Sequence, residues 1–204
     1  MLRGFALSFV VCIASFAMLG TSYAKSADDA KTYVNKVASD ALAIIETVND
    51  KDAKKKKLEK LFADSVNLSW VGKFVMGRYW RQATDDQKKR YLHEYERFIL
   101  HHYTSRFTEY TGGSFEITDA RDNGNNEYTV SMSLQDKTKK GEPPVLVDYR
   151  VRKEGGSFKI FDVIVEGVSM ITTQRSEFAS VLAKHDIEHL IAQLSKKSVT
   201  ETVQ

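Results

Sequence analysis

Val145-Leu146-Val147-Asp148-Tyr149-Arg150-Val151-Arg152-Lys153-Glu154-Gly155-Gly156-Ser157-Phe158-Lys159-Ile160-Phe161-Asp162-Val163-Ile164-Val165-Glu166-Gly167 is the stretch that decides how this chain folds. Val145, Val147, Tyr149 and Val151 alternate with Asp148, Arg150 and Arg152, the period of a strand with one buried face and one wet face. Glu154-Gly155-Gly156 offers residues that tolerate left-handed backbone, so the segment predicts a hairpin. The return arm, Phe158 to Glu166, is apolar on both faces, which marks a strand that is central or covered twice. Gly167 breaks the ladder.

Upstream, the period of two extends back to Ser114. Phe115 and Ile117 begin a first strand, Asp122-Asn123-Gly124-Asn125-Asn126 is a turn, and Tyr128, Val130, Met132 and Leu134 alternate with Thr129, Ser131 and Ser133. Lys137 to Pro144 is a polar loop. Before Ser114 the spacing is helical. Val34, Val37, Ala38, Ala41, Ile45 and Val48 predict an amphipathic helix over 27–48. A short helix opened by Lys54 to Lys57 follows, with Leu58, Leu61 and Phe62 on its buried side; its lysines fit a solvated face better than an acidic-partner patch. Leu68 to Arg81 is a third helical stretch. Thr84-Asp85-Asp86-Gln87 is a capping box, and the long helix it opens carries Tyr91, Tyr95, Phe98, Ile99, Tyr103, Phe107 and Tyr110 until Gly112-Gly113 ends it. Beyond Gly167 two helices are expected, near 173–184 and 186–195, with 197–204 a frayed tail. Helices, then a meander of about four antiparallel strands, then helices is an α+β order. A sheet curved around the long helix makes a half-open cone, and periodicity does not say whether side chains fill it.

Composition bounds what this fold could do. The 204 residues carry 30 Lys+Arg against 27 Asp+Glu, a net charge of +3, too small to point to nucleic acid. Met1-Leu2-Arg3, the uncharged run from Gly4 to Gly20 and Thr21-Ser22-Tyr23-Ala24 have the order of a cleaved export signal, with cleavage expected after Ala24. That leaves 25–196 as one domain. The single cysteine, Cys12, leaves with the signal, so neither a disulfide framework nor a multi-thiolate metal site is available. No later apolar run has the length of a membrane span.

Catalytic constellations are scarce. There is no G-x-S-x-G elbow, P-loop or G-x-G-x-x-G pattern. His185-Asp186-Ile187-Glu188-His189 matches H-x-x-E-H, which on a continuous helix would set two histidines on one face for zinc; a zinc-dependent hydrolase is therefore one alternative reading. Asp186-Ile187, however, has the form of a new helix start, and little chain remains for a third ligand. His101-His102 cannot chelate together, because adjacent helical residues diverge by about 100°. Asp148, Asp162 and Glu166 suit structural pairing with Arg150 or Arg175. Asn67-Leu68-Ser69 has the form of a glycosylation sequon.

Four segments carry a family resemblance. They are Gly77-Arg78-Tyr79-Trp80-Arg81-Gln82-Ala83-Thr84 with Gln87; Val147-Asp148-Tyr149-Arg150; Phe158 to Thr173, whose Glu166-Gly167-Val168-Ser169-Met170-Ile171-Thr172-Thr173 run is the most specific part; and Ile187 to Leu194. Together they resemble the MlaC family, also called the toluene-tolerance auxiliary proteins, over roughly 27–196. Asp186 departs from the glycine the family usually carries there. The resemblance implies a periplasmic phospholipid carrier that is not an enzyme and uses no cofactor. Its expected partners are an inner-membrane ABC transporter complex with an MlaD-like component and an outer-membrane MlaA-like lipoprotein with a porin. It also implies a curved sheet wrapped by helices, an NTF2-like cone with an apolar cavity for two acyl chains or more. A ligand-free NTF2-like interaction module is the other alternative.

A carrier needs an apolar lining and no bond-making residues. The candidates are Val75, Tyr103 and Phe107 from the helices, Val130, Met132, Val147, Tyr149 and Ile164 from the strands, and Val168 and Met170 beyond the last strand. Each could equally be ordinary core. Val168 is singled out because it follows Gly167, where the ladder ends. Arg78, Arg81 and Arg150 could meet phosphate or acidic partners, or serve the structure.

Overall fold

The computed structural model describes residues 20–108, 112–138 and 141–200. The expected signal therefore lies outside the described residues up to Leu19, as do Tyr110 of the aromatic stripe and the last four residues. Among the described residues, six α-helices pack with one antiparallel sheet of five strands: α1 Gly20–Thr47, α2 Lys51–Ser65, α3 Leu68–Met76, a 3-10 turn Gly77–Arg81, α4 Asp85–Thr108, β1 Gly113–Gly124, β2 Glu127–Asp136, β3 Val145–Glu154, β4 Ser157–Val165, β5 Val168–Ser169, α5 Met170–Leu182 and α6 Ile187–Thr200. The sheet is a simple meander in the order β1-β2-β3-β4-β5, and the class is α+β with a curved, open sheet. The fifth strand has only two residues, too few to leave a period in the sequence.

Local chemistry explains most boundaries. Asp50 caps α2 by accepting from Ala53 N, and Asn67, the sequon residue, caps α3 by accepting from Trp70 N. The capping box at α4 is closed both ways: Gln87 N donates to Thr84 Oγ1 at 3.2 Å and Thr84 N donates to Gln87 Oε1 at 3.0 Å. Asp186 caps α6 by accepting from His189 N at 2.8 Å. The two long hairpins turn on pairs with positive φ, Asn125-Asn126 and Gly155-Gly156, which matches the twist of the flanking strands. Helix α6 continues to Thr200 with Ser198 buried, so it runs into the stretch the sequence suggested was a frayed tail.

Two apolar cores flank the sheet. The larger joins α3, α4, α5 and α6 around Tyr91, Tyr95, Phe178 and Leu190. Gly72 lets α3 approach α4 closely: a Cβ there would lie 2.9 Å from Leu92 Cδ2 and from Tyr95 Cδ1, and Tyr91 donates its hydroxyl hydrogen to Gly72 O at 2.9 Å. The smaller core seats Ala30 and Val34 of α1 on Tyr128, Val130, Met132, Val151, Phe158 and Ile160 of the sheet. Strand β4 serves both cores. Its register with β3 slips between Arg150 and Val151, which pair with Asp162 and Ile160, so Phe161 is the extra residue of a bulge. Ile160 therefore joins the smaller core and Phe161 the larger one. This is the physical form of the doubly apolar arm read from the sequence.

Candidate functional site

The two cores do not close on each other. Between them lies a cavity of about 240 Å³. Val34, Val37, Ala38 and Ala41 of α1 and Leu58, Leu61 and Phe62 of α2 form one side; Val71, Tyr95, Ile99, Tyr103 and Thr104 of α3 and α4 form another. Tyr149 and the run Ile160 to Val163 form the sheet wall, and Met170, Ile171 and Gln174 of α5 close one end. Four consecutive residues of one strand reach the same space because the bulge at Phe161 disrupts strict alternation. Phe62 stacks on Tyr103 with centroids 6.1 Å apart, which bridges α2 to α4 beside the cavity. Ala38 and Ala41 sit in the apolar stripe of α1 where larger side chains would have filled the seam.

Several polar groups in and beside the wall are engaged with the protein. Tyr95 donates to Gln174 Oε1 at 2.6 Å, Thr104 donates to Leu100 O at 2.5 Å, and Tyr33 donates to Ser65 O at 2.9 Å. Burial pushes the Tyr95 and Tyr149 hydroxyls above the ordinary tyrosine range, so both stay neutral at physiological pH. Asp162 is the one carboxylate of the wall and is 2% exposed. It accepts from Ser169 Oγ at 2.8 Å and Ile171 N at 3.3 Å, with Arg150 Nη1 at 3.9 Å. That is the structural pairing expected for it, tying β4 to the start of α5. The predominantly apolar wall can sequester apolar groups.

Of the sequence candidates, Tyr103, Tyr149 and Met170 lie on the cavity wall. Val75 is inside the larger core, while Val130 and Met132 are inside the smaller one. Val147 is buried two residues before Tyr149 on β3 and pairs with Met132 and Val165. Ile164 is half-buried and pairs with Ser169 and Asp148. Val168 is 52% exposed and stands off the wall. The side chain of Phe107 lies outside the described set. Sequence reading placed Val37, Ala38, Ala41, Leu58, Leu61 and Phe62 on buried helix faces without assigning them to a cavity. The small residues at 38 and 41 were the signal that could have done so.

The H-x-x-E-H match takes a different form from a metal grip. His185 precedes α6, and its ring stacks on His189 with centroids 4.0 Å apart. Glu188 turns away to α4, accepting from Arg90 Nη2 at 2.5 Å, Arg90 Nη1 at 2.8 Å and Gln87 Nε2 at 3.1 Å. These hydrogen bonds from Arg90 and Gln87 hold its carboxyl down at about 2. Among the described residues no group of three His, Cys, Asp or Glu side chains is placed to hold a metal ion, and no helix is long and apolar enough to cross a membrane. Two of the three candidate arginines are engaged locally: Arg150 lies over the Phe161 ring and reaches Glu127 at 3.4 Å, and Arg78 donates to Tyr79 Oη at 3.0 Å, while Arg81 is exposed.

The chain is 24% identical over 135 residues to the intermembrane phospholipid transport system binding protein MlaC of Haemophilus influenzae, covering 65% of this chain and 63% of that one. It is 23% identical over 129 residues to the toluene tolerance protein ttg2D of Pseudomonas putida, covering 63% and 59%. The matches thus span about three-fifths of those relatives' own lengths. A phospholipid-binding protein from Ralstonia solanacearum, solved in complex with a phospholipid, shares the fold with a TM-score of 0.72 at 22% identity, covering 84% of this chain and 98% of that one. The family model described as MlaC protein matches residues 35–196, nearly the whole described fold from the cavity face of α1 to α6, and the chain belongs to the MlaC family.

Proposed function

We propose that this protein is a soluble periplasmic carrier of phospholipids, holding acyl tails in the seam between its two cores. The observation that carries the reading is the apolar cavity, two of whose few polar groups, the Tyr95 and Thr104 hydroxyls, are engaged with the protein. Each buried CH₂ is worth roughly 0.8 kcal/mol, so two acyl chains in water would cost on the order of 20 kcal/mol. A carrier must replace the bilayer as solvent for them. Family membership and the phospholipid bound to the Ralstonia structure support the same reading.

The tails lie against Leu61, Phe62, Tyr103, Tyr149, Val163 and Met170, with the other buried candidates acting as the packed backing of those walls. A volume of about 240 Å³ is below the roughly 300–1,000 Å³ of ordinary ligand pockets, so loading widens the seam. The hydrated headgroup stays outside, since a charged group gains nothing from an apolar wall. The finer assignment is a shuttle between an outer-membrane MlaA-like lipoprotein with its porin and an inner-membrane ABC transporter complex with an MlaD-like component, with brief docking at each. The export signal read at the N-terminus fits that location.

Native mass spectrometry of the purified chain, followed by solvent extraction, tests the reading. Two-tailed lipid at near one molecule per protein is the expected result. A folded protein that carries no lipid, and takes none from vesicles, would overturn it.

A further inference from the structure

The large hydrophobic residues that stand exposed among the described residues are Val145 at 38%, Leu146 at 57% and Val168 at 52%. They are not scattered. Leu146 O accepts from Glu166 N at 2.9 Å and Leu146 N donates to Glu166 Oε1 at 2.6 Å, which ties the start of β3 to the β4–β5 turn. Val168 follows that turn and pairs with Val165. The three residues therefore lie at one end of the sheet, with Val145 and Leu146 on its opposite faces, preceded by exposed Pro143 and Pro144. Apolar residues gathered at one corner call for a cover in a way that single exposed ones do not.

The first turns of α2, at the same end of the molecule, are basic. Val145 pairs with Leu134 near the end of β2. Just beyond it Lys137 donates its backbone N–H to Gly112 O and approaches Glu46, in the last turn of α1, at 3.6 Å. Helix α2 begins three residues after α1 ends, and Lys55 reaches His101, in the second half of α4, at 2.8 Å. The first turns of α2 thus stand at this end, with Lys51, Lys56 and Lys57 exposed. Asp50, which caps α2, Glu46, which faces Lys137, Glu166, which holds Leu146 N, and Asp52 and Glu142 offset the charge over the rest of this end and leave the basic excess on α2.

We infer that this end, with the Val145–Leu146–Val168 corner as its apolar tip and the N-terminal lysines of α2 as its cationic flank, docks directly on an anionic phospholipid surface. Shallow apolar residues enter the headgroup boundary while lysines meet phosphates, the two terms that together give reversible attachment. Charge selects this occupant over an apolar protein face, which would leave the lysines unmatched. The inference does not depend on what the cavity holds.

Flotation of the purified chain with phosphatidylcholine vesicles, with and without phosphatidylglycerol, tests it at low and high salt. Binding is expected only to the phosphatidylglycerol vesicles, and it should weaken as salt rises. Lys56→Gln with Lys57→Gln should weaken it about 30-fold, and Leu146→Asp about tenfold or more. Melting temperature and extracted lipid should stay as in the parent chain for both variants. Absence of binding, equal binding to neutral and anionic vesicles, or unchanged binding by folded variants would each overturn the inference and leave the corner to a protein partner. Loss of vesicle binding with lipid content intact separates this surface from the carrier reading.

Discussion

Replacing Leu61 by aspartate sets an ionisable group into the cavity wall, on α2 beside Phe62, whose ring stacks on Tyr103. Leu61 is half-buried, so in the unloaded protein the new carboxylate keeps part of its water and the fold loses little. A bound tail changes that. It would forfeit the leucine surface, worth about 1.5–3 kcal/mol when fully buried, and would strip water from an ion at a cost of several kcal/mol. A combined loss of about 5 kcal/mol weakens lipid binding by roughly three to four powers of ten. The assay is extracted lipid per protein, with circular dichroism and melting as controls. The sign with pH is also fixed. A carboxyl pressed against a tail has its proton affinity raised above the ordinary value of about 3.9, and its neutral form tolerates the tail, so lipid retention recovers as the pH falls. Leu61→Met should keep the lipid throughout. Normal lipid content in Leu61→Asp at neutral pH would refute the reasoning. Val168→Glu run in parallel sharpens the test: lipid lost there but kept in Leu61→Asp would move the tails to the β4–β5 turn.

Three further outcomes follow from the packing. Gly72→Ala drives a methyl to within 2.9 Å of Leu92 and Tyr95, so α3 must retreat from α4; a loss of about 1–3 kcal/mol is expected from denaturant unfolding. Asp162→Ala removes the acceptor for Ser169 Oγ and Ile171 N, and about 2–3 kcal/mol should be lost, as for hydrogen bonds to a buried charge. Glu188, held at about 2 by Arg90 and Gln87, contributes stability that is fully present above its unfolded value near 4.5 and fades as the pH falls through 2. The melting temperature of the parent chain should therefore drop more steeply than that of Glu188→Gln over that acid range.

Much of the architecture was legible in the residues because it is local. Thr84 and Gln87 announce their helix by reciprocal bonds within one turn, and Gly155-Gly156 fixes a hairpin by its backbone freedom alone. The doubly apolar arm from Phe158 was readable as a strand covered twice. What it could not announce was the bulge that divides Ile160 from Phe161, because a register slip exists only between two strands. Strand β5 escaped notice for a similar reason: Val168 and Ser169 pair with β4 through a tight turn and are too few to show a period. At the site, Tyr149 and Met170 were reachable as apolar residues within the family segments, and Tyr103 as part of the aromatic stripe of the long helix. Leu61 and Ala41 were read as ordinary helix faces, since an apolar stripe looks the same whether it meets a neighbour or a void.

By itself the sequence determined the succession of helices and strands, the caps and turns that bound them, and the resemblance to one family. These depend on intervals of a few residues, over which propensity and hydrogen bonding act directly. Only the tertiary structure decided that the apolar interior is two cores with an open seam. Whether a seam closes depends on the summed volume of side chains contributed by α1, α2, α4, α5 and the sheet, and no local pattern carries that sum. The same holds for Val168, an apolar residue in an apolar motif, whose exposure was set by where the β4–β5 turn comes to rest beside Leu146.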